Sequence, residues 1–277
     1  MAAVYGYEDL DTSFSRTVTS GSLISSSFDL LKSRIERLLT QNVTGFVELN
    51  VPEQEDFVSM LLVKLDTLPY RSRLRVTFFP GTFRVKVQMP TTAQGVALSG
   101  LGAAIILSGA LVNPAFTDLF YPSGDGKQQY QRAGKEPDWS GYPCGRRNKL
   151  PSVIIEVGVS ESMTELERDA KEWLTKFGNQ VLTVIIVKVW PKTVTFAAKV
   201  EYAVWKLNSQ TDVPYSVPNQ GGKFERNNLH LLPALTLDAM DFLLPTEMPA
   251  SGFLPGNTVT VNSREMRCWV EEILSNL

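Results

Sequence analysis

Two acids in the middle of the chain stand where carboxylates are hard to accommodate. Asp138 follows Pro137, and Glu156 interrupts the run Val153-Ile154-Ile155-Glu156-Val157, which otherwise reads as a strand buried on both faces. A carboxylate there is costly unless it is paired or holds a cation. Two such acids on neighbouring strands can share a divalent cation, Mg²⁺ or Mn²⁺, which lowers the pKa of a water and neutralises charge on phosphate, as phosphodiester hydrolysis requires. The alternative is structural: Asp138 as a turn acid after proline, and Glu156 partnered by a nearby Arg or Lys. On the two acids alone, this alternative carries more weight.

Other chemistries lack their residues. The single histidine, His230, lies in the apolar run LHLLPAL and reads as a packed or surface side chain. A Ser-His-Asp hydrolase or a multi-histidine zinc site is therefore set aside. Two cysteines, Cys144 and Cys268, are too few for a disulfide framework and point to a reducing compartment. Gly100-Leu101-Gly102 sits in a helical run without the third glycine of a dinucleotide fingerprint, and Gly124-Asp125-Gly126-Lys127 lacks the first glycine of a phosphate loop.

With 27 Lys+Arg against 29 Asp+Glu the chain is not polycationic, so affinity for nucleic acid has to come from a local patch. Arg146, Arg147 and Lys149 lie between the two acids, and Arg71, Arg73, Arg75, Arg84 and Lys86 share one face of a hairpin. Such clusters replace condensed counterions on phosphates. For the hairpin a solvated outer face is the weightier reading; for the Arg146 to Lys149 loop the two readings stand level.

The elements that must position these residues follow from periodicity. Ser26 or Ser27 caps a helix through Thr40, and Pro52 with Glu53, Glu55 and Asp56 opens a second to Asp66. Leu74, Val76, Phe78 and Phe83, Val85, Val87, Met89 alternate with polar residues about Pro80-Gly81, which predicts a β-hairpin. Val96 to Val112 lies in a charge-free stretch and reads as a buried helix rather than a membrane anchor. Phe116 to Tyr121 reads as a short strand. Ser162-Met163-Thr164-Glu165 is a capping box before a helix that carries Leu166, Ala170, Trp173, Leu174 and Phe177 on one side and stops at Gly178. Val181 to Trp190 and Val194 to Trp205 predict two strands. Asn208 to Asn228 reads as a loop, Leu232 to Leu244 as a strand or short helix, and Ser263 to Leu277 as a terminal amphipathic helix.

Pro137-Asp138, Glu156, Gly158, Ser160-Glu161-Ser162 and Arg168-Asp169-Ala170 in the following helix together resemble the PD-(D/E)XK restriction-endonuclease-like superfamily, in particular its Uma2-like branch and related fungal proteins. The resemblance runs from Arg71 to Trp190 and includes GTFRVKVQMPTTAQG. It implies an α/β (α+β) fold with a mixed sheet between helices, and a metal-dependent nuclease whose Mg²⁺ or Mn²⁺ is held by Asp138, Glu156 and the carbonyl of Val157. The family's lysine falls two residues after the acid, where this chain has Gly158, and Lys171 in the next helix is the substitute. Gln94 stands near a position where Uma2-like proteins often carry histidine. Glu36 and Glu48 are candidates for a further acid, though both read more readily as solvated. The partner implied is nucleic acid, DNA over RNA, with contacts from Arg146, Arg147 and Lys149; a homodimer stays open, as does a catalytically inactive module of the same fold. The expected organisation is a polar tail over 1–25, a nuclease-like core over 26–207 and a packed extension over 208–277. With no basic and apolar leader at the start, an intracellular setting, cytoplasm or nucleus, is expected.

Overall fold

The computed structural model describes residues 6–8, 20–41, 45–51, 55–69, 74–79, 84–88, 92–123, 128–130, 133–144, 150–159, 161–177, 180–244, 246, 253–254 and 256–277. The chain forms two compact units, Met1–Thr91 with Lys127–Glu136, and Thr92–Gly126 with Pro137–Leu277.

The first unit opens with β1 (Gly6–Glu8), α1 (Ser20–Gln41), β2 (Gly45–Asn50), α2 (Glu55–Asp66), β3 (Arg75–Phe79) and β4 (Arg84–Gln88). Its sheet has the order β1-β2-β4-β3, with β1 parallel to β2 and the other pairs antiparallel. Alternation builds the core. Val47 and Leu49, Val76 and Phe78, and Val85 and Val87 turn inward against Leu31 and Ile35 of α1 and Phe57, Leu61 and Leu65 of α2, each helix using residues four apart. The expected hairpin is β3–β4. Strand β1 and the start of α1 fall within the segment read as a polar tail, and β2 is an added strand. Its two inward residues flank Glu48, too short an alternation to stand out between two helices.

The chain then enters the second unit with α3 (Thr92–Val112), α4 (Phe116–Leu119) and β5 (Phe120–Ser123), and gives the first unit β6 (Gln128–Tyr130) and β7 (Ala133–Lys135). It continues in the second with β8 (Trp139–Pro143), β9 (Val153–Gly158), α5 (Met163–Lys176), β10 (Thr183–Trp190), β11 (Lys199–Leu207) and β12 (Pro214–Phe224). After a 3-10 turn over Leu229–Leu231 come β13 (Leu235–Asp238), α6 (Ala239–Phe242), β14 (Thr258–Val261) and α7 (Ser263–Ser275). The six-stranded sheet has the order β12-β11-β10-β9-β8-β5. Only β9 and β10 run parallel; the remaining pairs are antiparallel, so the fold is α/β (α+β) about a mixed sheet. The segments read as core (26–207) and extension (208–277) divide differently. The cut at residues 91 and 92 puts the apolar helix with the larger sheet, and β12 completes that sheet's edge.

Two faces of the larger sheet differ in chemistry. On one, Val153, Ile155 and Val157 of β9 pack in a cluster with Ala97, Leu101 and Ile105 of α3 and Met266, Trp269 and Ile273 of α7. On the other, α5 is set by the expected capping box: the Ser162 hydroxyl accepts from the Glu165 amide at 3.2 Å, and the Glu165 carboxylate accepts from the Ser162 amide at 2.7 Å. Helix α3 is long and apolar enough to cross a membrane by length and composition. In the second unit its Ala97 carbonyl accepts a bond from the Trp269 indole at 2.9 Å, and Ala97, Leu101 and Ile105 are fully buried.

Three sequence readings change here. Residues 208–228, read as a loop for their Ser, Pro, Asn and Gly, contain β12. A sheet edge tolerates Pro214 and Pro218 because one side of the strand needs no ladder donors, and Asn219 takes φ 61°, which asparagine tolerates. The segment Phe116 to Tyr121 starts as α4 before becoming β5, and the second strand of the β10–β11 pair starts at Lys199, not Val194.

The close approach of α3 to the sheet depends on glycine. A Cβ at Gly102 would lie 2.5 Å from the Trp139 indole nitrogen and 2.7 Å from its ring. Gly102→Val is expected to destabilise the protein by about 1–3 kcal/mol through overpacking, measured as a lower midpoint in urea; an unchanged midpoint would show that Trp139 can move aside.

Candidate functional site

Asp138 enters the site because Pro137 leads straight into β8. Trp139 pairs with Ile155, so the antiparallel register, carried one residue further, sets Asp138 opposite Glu156. The Asp138 Oδ2 atom accepts a hydrogen bond from the Val157 amide at 2.7 Å, which is the peptide next to Glu156. The two acids expected to act together are thus brought together, and both are buried.

Each neighbour of β9 contributes one polar group. The Trp173 indole of α5 donates to Glu156 Oε1, and the Gln94 amide of α3 donates to the Val157 carbonyl at 2.8 Å. These bonds orient the Glu156 carboxylate and the Val157 carbonyl. Among the described residues no group of three or more His, Cys, Asp or Glu converges as a metal site. Two buried carboxylates and a main-chain carbonyl occur at neighbouring positions here, Asp138 in register with Glu156 and the carbonyl on Val157.

The residue missed in the sequence is Lys188. It pairs with Gly158 across the parallel β9–β10 ladder, and register partners share a face. Lys188 is only 3% exposed and its ammonium donates to the Val159 carbonyl. Burial pushes its pKa down to about 8, against the opposing pull of Glu161, Glu165 and Glu201. The signal was present: Lys188 is the one charge in VLTVIIVKVW, just as Glu156 is the one charge in its own strand. Gly158 has a packing reason too, since a Cβ there would stand 3.0 Å from both the Glu161 carboxylate and Leu166. The place of a side chain at 158 is taken.

Lys171 does not join the acids. It is exposed on α5, and its ammonium stands 5.0 Å from the Trp205 ring centre on β11, two strands away from β9. The helical period explains the correction: Trp173, two residues on, is the α5 side chain turned to Glu156, so Lys171 points elsewhere. Arg146, Arg147 and Lys149 lie outside the described residues, as do Arg71 and Arg73. Arg75, Arg84 and Lys86 occupy β3 and β4 of the first unit, Glu36 is exposed beside Lys32 at 3.9 Å on α1, and Glu48 lies in β2 rather than a helix.

Comparison with known protein families and with curated proteins finds no match to this chain.

The lowered Lys188 pKa sets a sign for stability against pH. Between about pH 8 and its ordinary value of 10.5, the unfolded chain keeps a proton that folded Lys188 releases. Stability therefore gains from this group as pH rises through that window. In Lys188→Met that gain is expected to vanish, leaving a flatter profile of urea midpoint from pH 7.5 to 10; an unaltered profile would mean that Lys188 titrates normally.

Proposed function

We propose that the second unit is a PD-(D/E)XK-like metal-dependent phosphodiesterase acting on nucleic acid, with DNA preferred to RNA. One observation carries the reading: the Asp138 carboxylate is bonded to the amide next to Glu156, while Lys188 lies in register with Gly158 on the Glu156 face. The fold supports it, since α3 and α5 flank a mixed sheet of the kind the sequence resemblance implies. So does the chemistry of the donors. Asp138, Glu156 and the Val157 carbonyl are hard oxygen ligands of the kind Mg²⁺ and Mn²⁺ take, and the residues fit such an ion. Bound there, the cation would lower the pKa of the attacking water and neutralise charge on the phosphate.

The protein's own groups do the rest. Trp173 and Gln94 fix the directions of the Glu156 carboxylate and the Val157 carbonyl, the part that outer hydrogen bonds play in metal sites. Lys188 takes the part first assigned to Lys171. Its flexible stem starts one strand over from Gly158, and its ammonium opposes charge developing on a phosphate bound at Glu156. In the overall step a water oxygen joins phosphorus and the ester P–O bond breaks, giving a phosphomonoester and a hydroxyl.

A second reading, a module of this fold that binds nucleic acid or protein without catalysis, is favoured by the partners already in place: Trp173 holds Glu156, and the Val159 carbonyl holds the Lys188 ammonium.

Calorimetric titration with Mn²⁺ and Mg²⁺, alongside plasmid nicking, separates the two. The wild type is expected to bind the ion and nick, and Asp138→Asn and Glu156→Gln to lose both. Lys188→Met is expected to keep the ion and lose roughly 10²–10³ in nicking rate, the size of a lost electrostatic donor, whereas Lys171→Ala retains activity. Metal binding without nicking selects the inactive module. No metal binding by the wild type rejects the phosphodiesterase.

A further inference from the structure

The connection between β10 and β11 carries two apolar side chains that the unit leaves in water. Val194 is fully exposed and Phe196 is 66% exposed. Scattered exposed apolar residues are ordinary, but these two sit on a fixed tip. The Thr193 amide donates to the Phe196 carbonyl at 3.0 Å, the Phe196 amide donates to the Thr193 hydroxyl at 3.0 Å, and the Thr193 and Thr195 hydroxyls lie 3.4 Å apart.

Cations cluster where β10 enters this tip. The Lys199 ammonium lies 5.8 Å from the Phe196 ring centre and 5.1 Å from that of Trp190. Lys188 and Lys223 reach the same Trp190 ring at 4.7 and 5.7 Å. Three ammoniums around one indole repel one another. Glu201 offsets Lys223 at 3.0 Å, and Glu161, Glu165 and Glu201 all act on Lys188. Among the described residues Lys192 and Lys199 have no carboxylate at ion-pair distance. The Trp190 indole nitrogen is itself buried without a hydrogen-bond partner, an uncompensated donor of the kind that calls for an explanation. The same loop gives Lys192, Ala197 and Ala198 to a cavity of about 440 Å³, lined also by Glu225, Arg226 and Leu274.

The position of the tip relates it to the acids. Ile186 pairs with Glu156, and Trp190 ends β10 four residues further along, roughly 13 Å at strand rise, with the tip beyond it. A short run of nucleotides spans that distance. An exposed aromatic face takes a base only where the base is unstacked, and flanking lysines take the phosphates on either side. A duplex hides its base faces, so this chemistry selects single strands.

We propose that the β10–β11 tip is a platform for single-stranded nucleic acid, with Phe196 stacking on a base and Lys192 and Lys199 contacting the adjoining phosphates. The inference rests on the phosphodiesterase reading for its substrate class and narrows that class to nucleic acid with unpaired bases, which a supercoiled plasmid also offers where it opens. Charge complementarity selects a polyanion as the occupant, and the acids at the neighbouring strand end select nucleic acid over a lipid surface.

The test is fluorescence anisotropy in EDTA, where no cleavage occurs, using labelled oligothymidylate and a mixed-sequence duplex of equal length. The wild type is expected to bind the single strand at least about tenfold tighter. Phe196→Ala loses about five- to hundredfold for the single strand only, the range for one stacked base, while Phe196→Trp keeps binding and its added indole is quenched by the oligonucleotide. Lys192→Ala with Lys199→Ala is expected to lower the salt slope by about 1.4, at about 0.7 per phosphate contact. Unchanged urea midpoints show that these exposed positions leave the fold intact. Equal affinity for both nucleic acids, an unaffected Phe196→Ala, or binding to anionic phosphatidylserine vesicles in place of oligonucleotide would each overturn the platform. Asp138-dependent plasmid nicking by a protein whose single-strand binding ignores Phe196→Ala would leave the phosphodiesterase standing while the platform fell, and single-strand binding lost in Phe196→Ala but without metal binding would do the reverse.

Discussion

Glu156 and Lys188 put a carboxylate and an ammonium onto one face of two strands that are otherwise apolar and buried along most of their length. Removing either group from water without partners would cost several kcal/mol. The elements around β9 are arranged to meet that cost: α5 supplies the Trp173 indole, and Val159, just past the strand end, supplies a carbonyl. Two further polar bonds clasp the main chain of Val157, its amide held by Asp138 at the head of β8 and its carbonyl by Gln94 at the start of α3. Each of these bonds reaches β9 from a different element. Together they fix its register, because a one-residue slip would turn Glu156 into the cluster formed by α3 and α7 and Val157 toward α5.

That constraint divides the larger sheet by chemistry. The α3 and α7 face is packed mostly by apolar side chains, to the point that Gly102 gives up its side chain so that Trp139 can lie against the helix. The α5 face cannot. There Gly158 leaves room for Glu161 and Leu166, and the charge absent from β9 at that level appears on β10 as Lys188. An acid and a cation held at one strand end, with outer hydrogen bonds fixing their directions, is an arrangement that stability alone does not favour. An apolar pair of similar volume would pack at lower cost.

Much of this was legible in the chain. The run around Glu156 is β9, the Ser162 capping box opens α5, and the alternation about Pro80-Gly81 is the β3–β4 hairpin. That Asp138 and Glu156 belong to adjoining strands was legible only through the family resemblance, since the two acids by themselves read more readily as structural groups. What stayed hidden depends on partners far along the chain. Edge strand β12 has the composition of a loop, since an edge needs no apolar alternation when both its faces are largely wet. Strand β1 exists only through its pairing with β2. Lys171 was chosen by distance along the helix, but the side on which it falls is set by Trp173. Lys188 carried the same signal as Glu156, yet its value appears only once β9 and β10 lie side by side.

A lysine on β10 level with Gly158 can serve the surface that a side chain at 158 would serve, for a simple geometric reason. Along a strand, positions i and i+2 share a face and stand about 6.6 Å apart, whereas register partners on adjoining strands share a face at about 4.8 Å. A cation beside Gly158 on β10 is therefore displaced from a side chain on Gly158 itself by less than one step along β9. The hydrogen-bonded ladder maintains that offset as firmly as the covalent chain maintains spacing. A pattern defined as acid, any residue, lysine describes only one of the two routes to the same surface. The parallel pairing of β9 and β10, made by the crossover through α5, is what opens the second route, because it brings equal positions of two apolar strands level with each other.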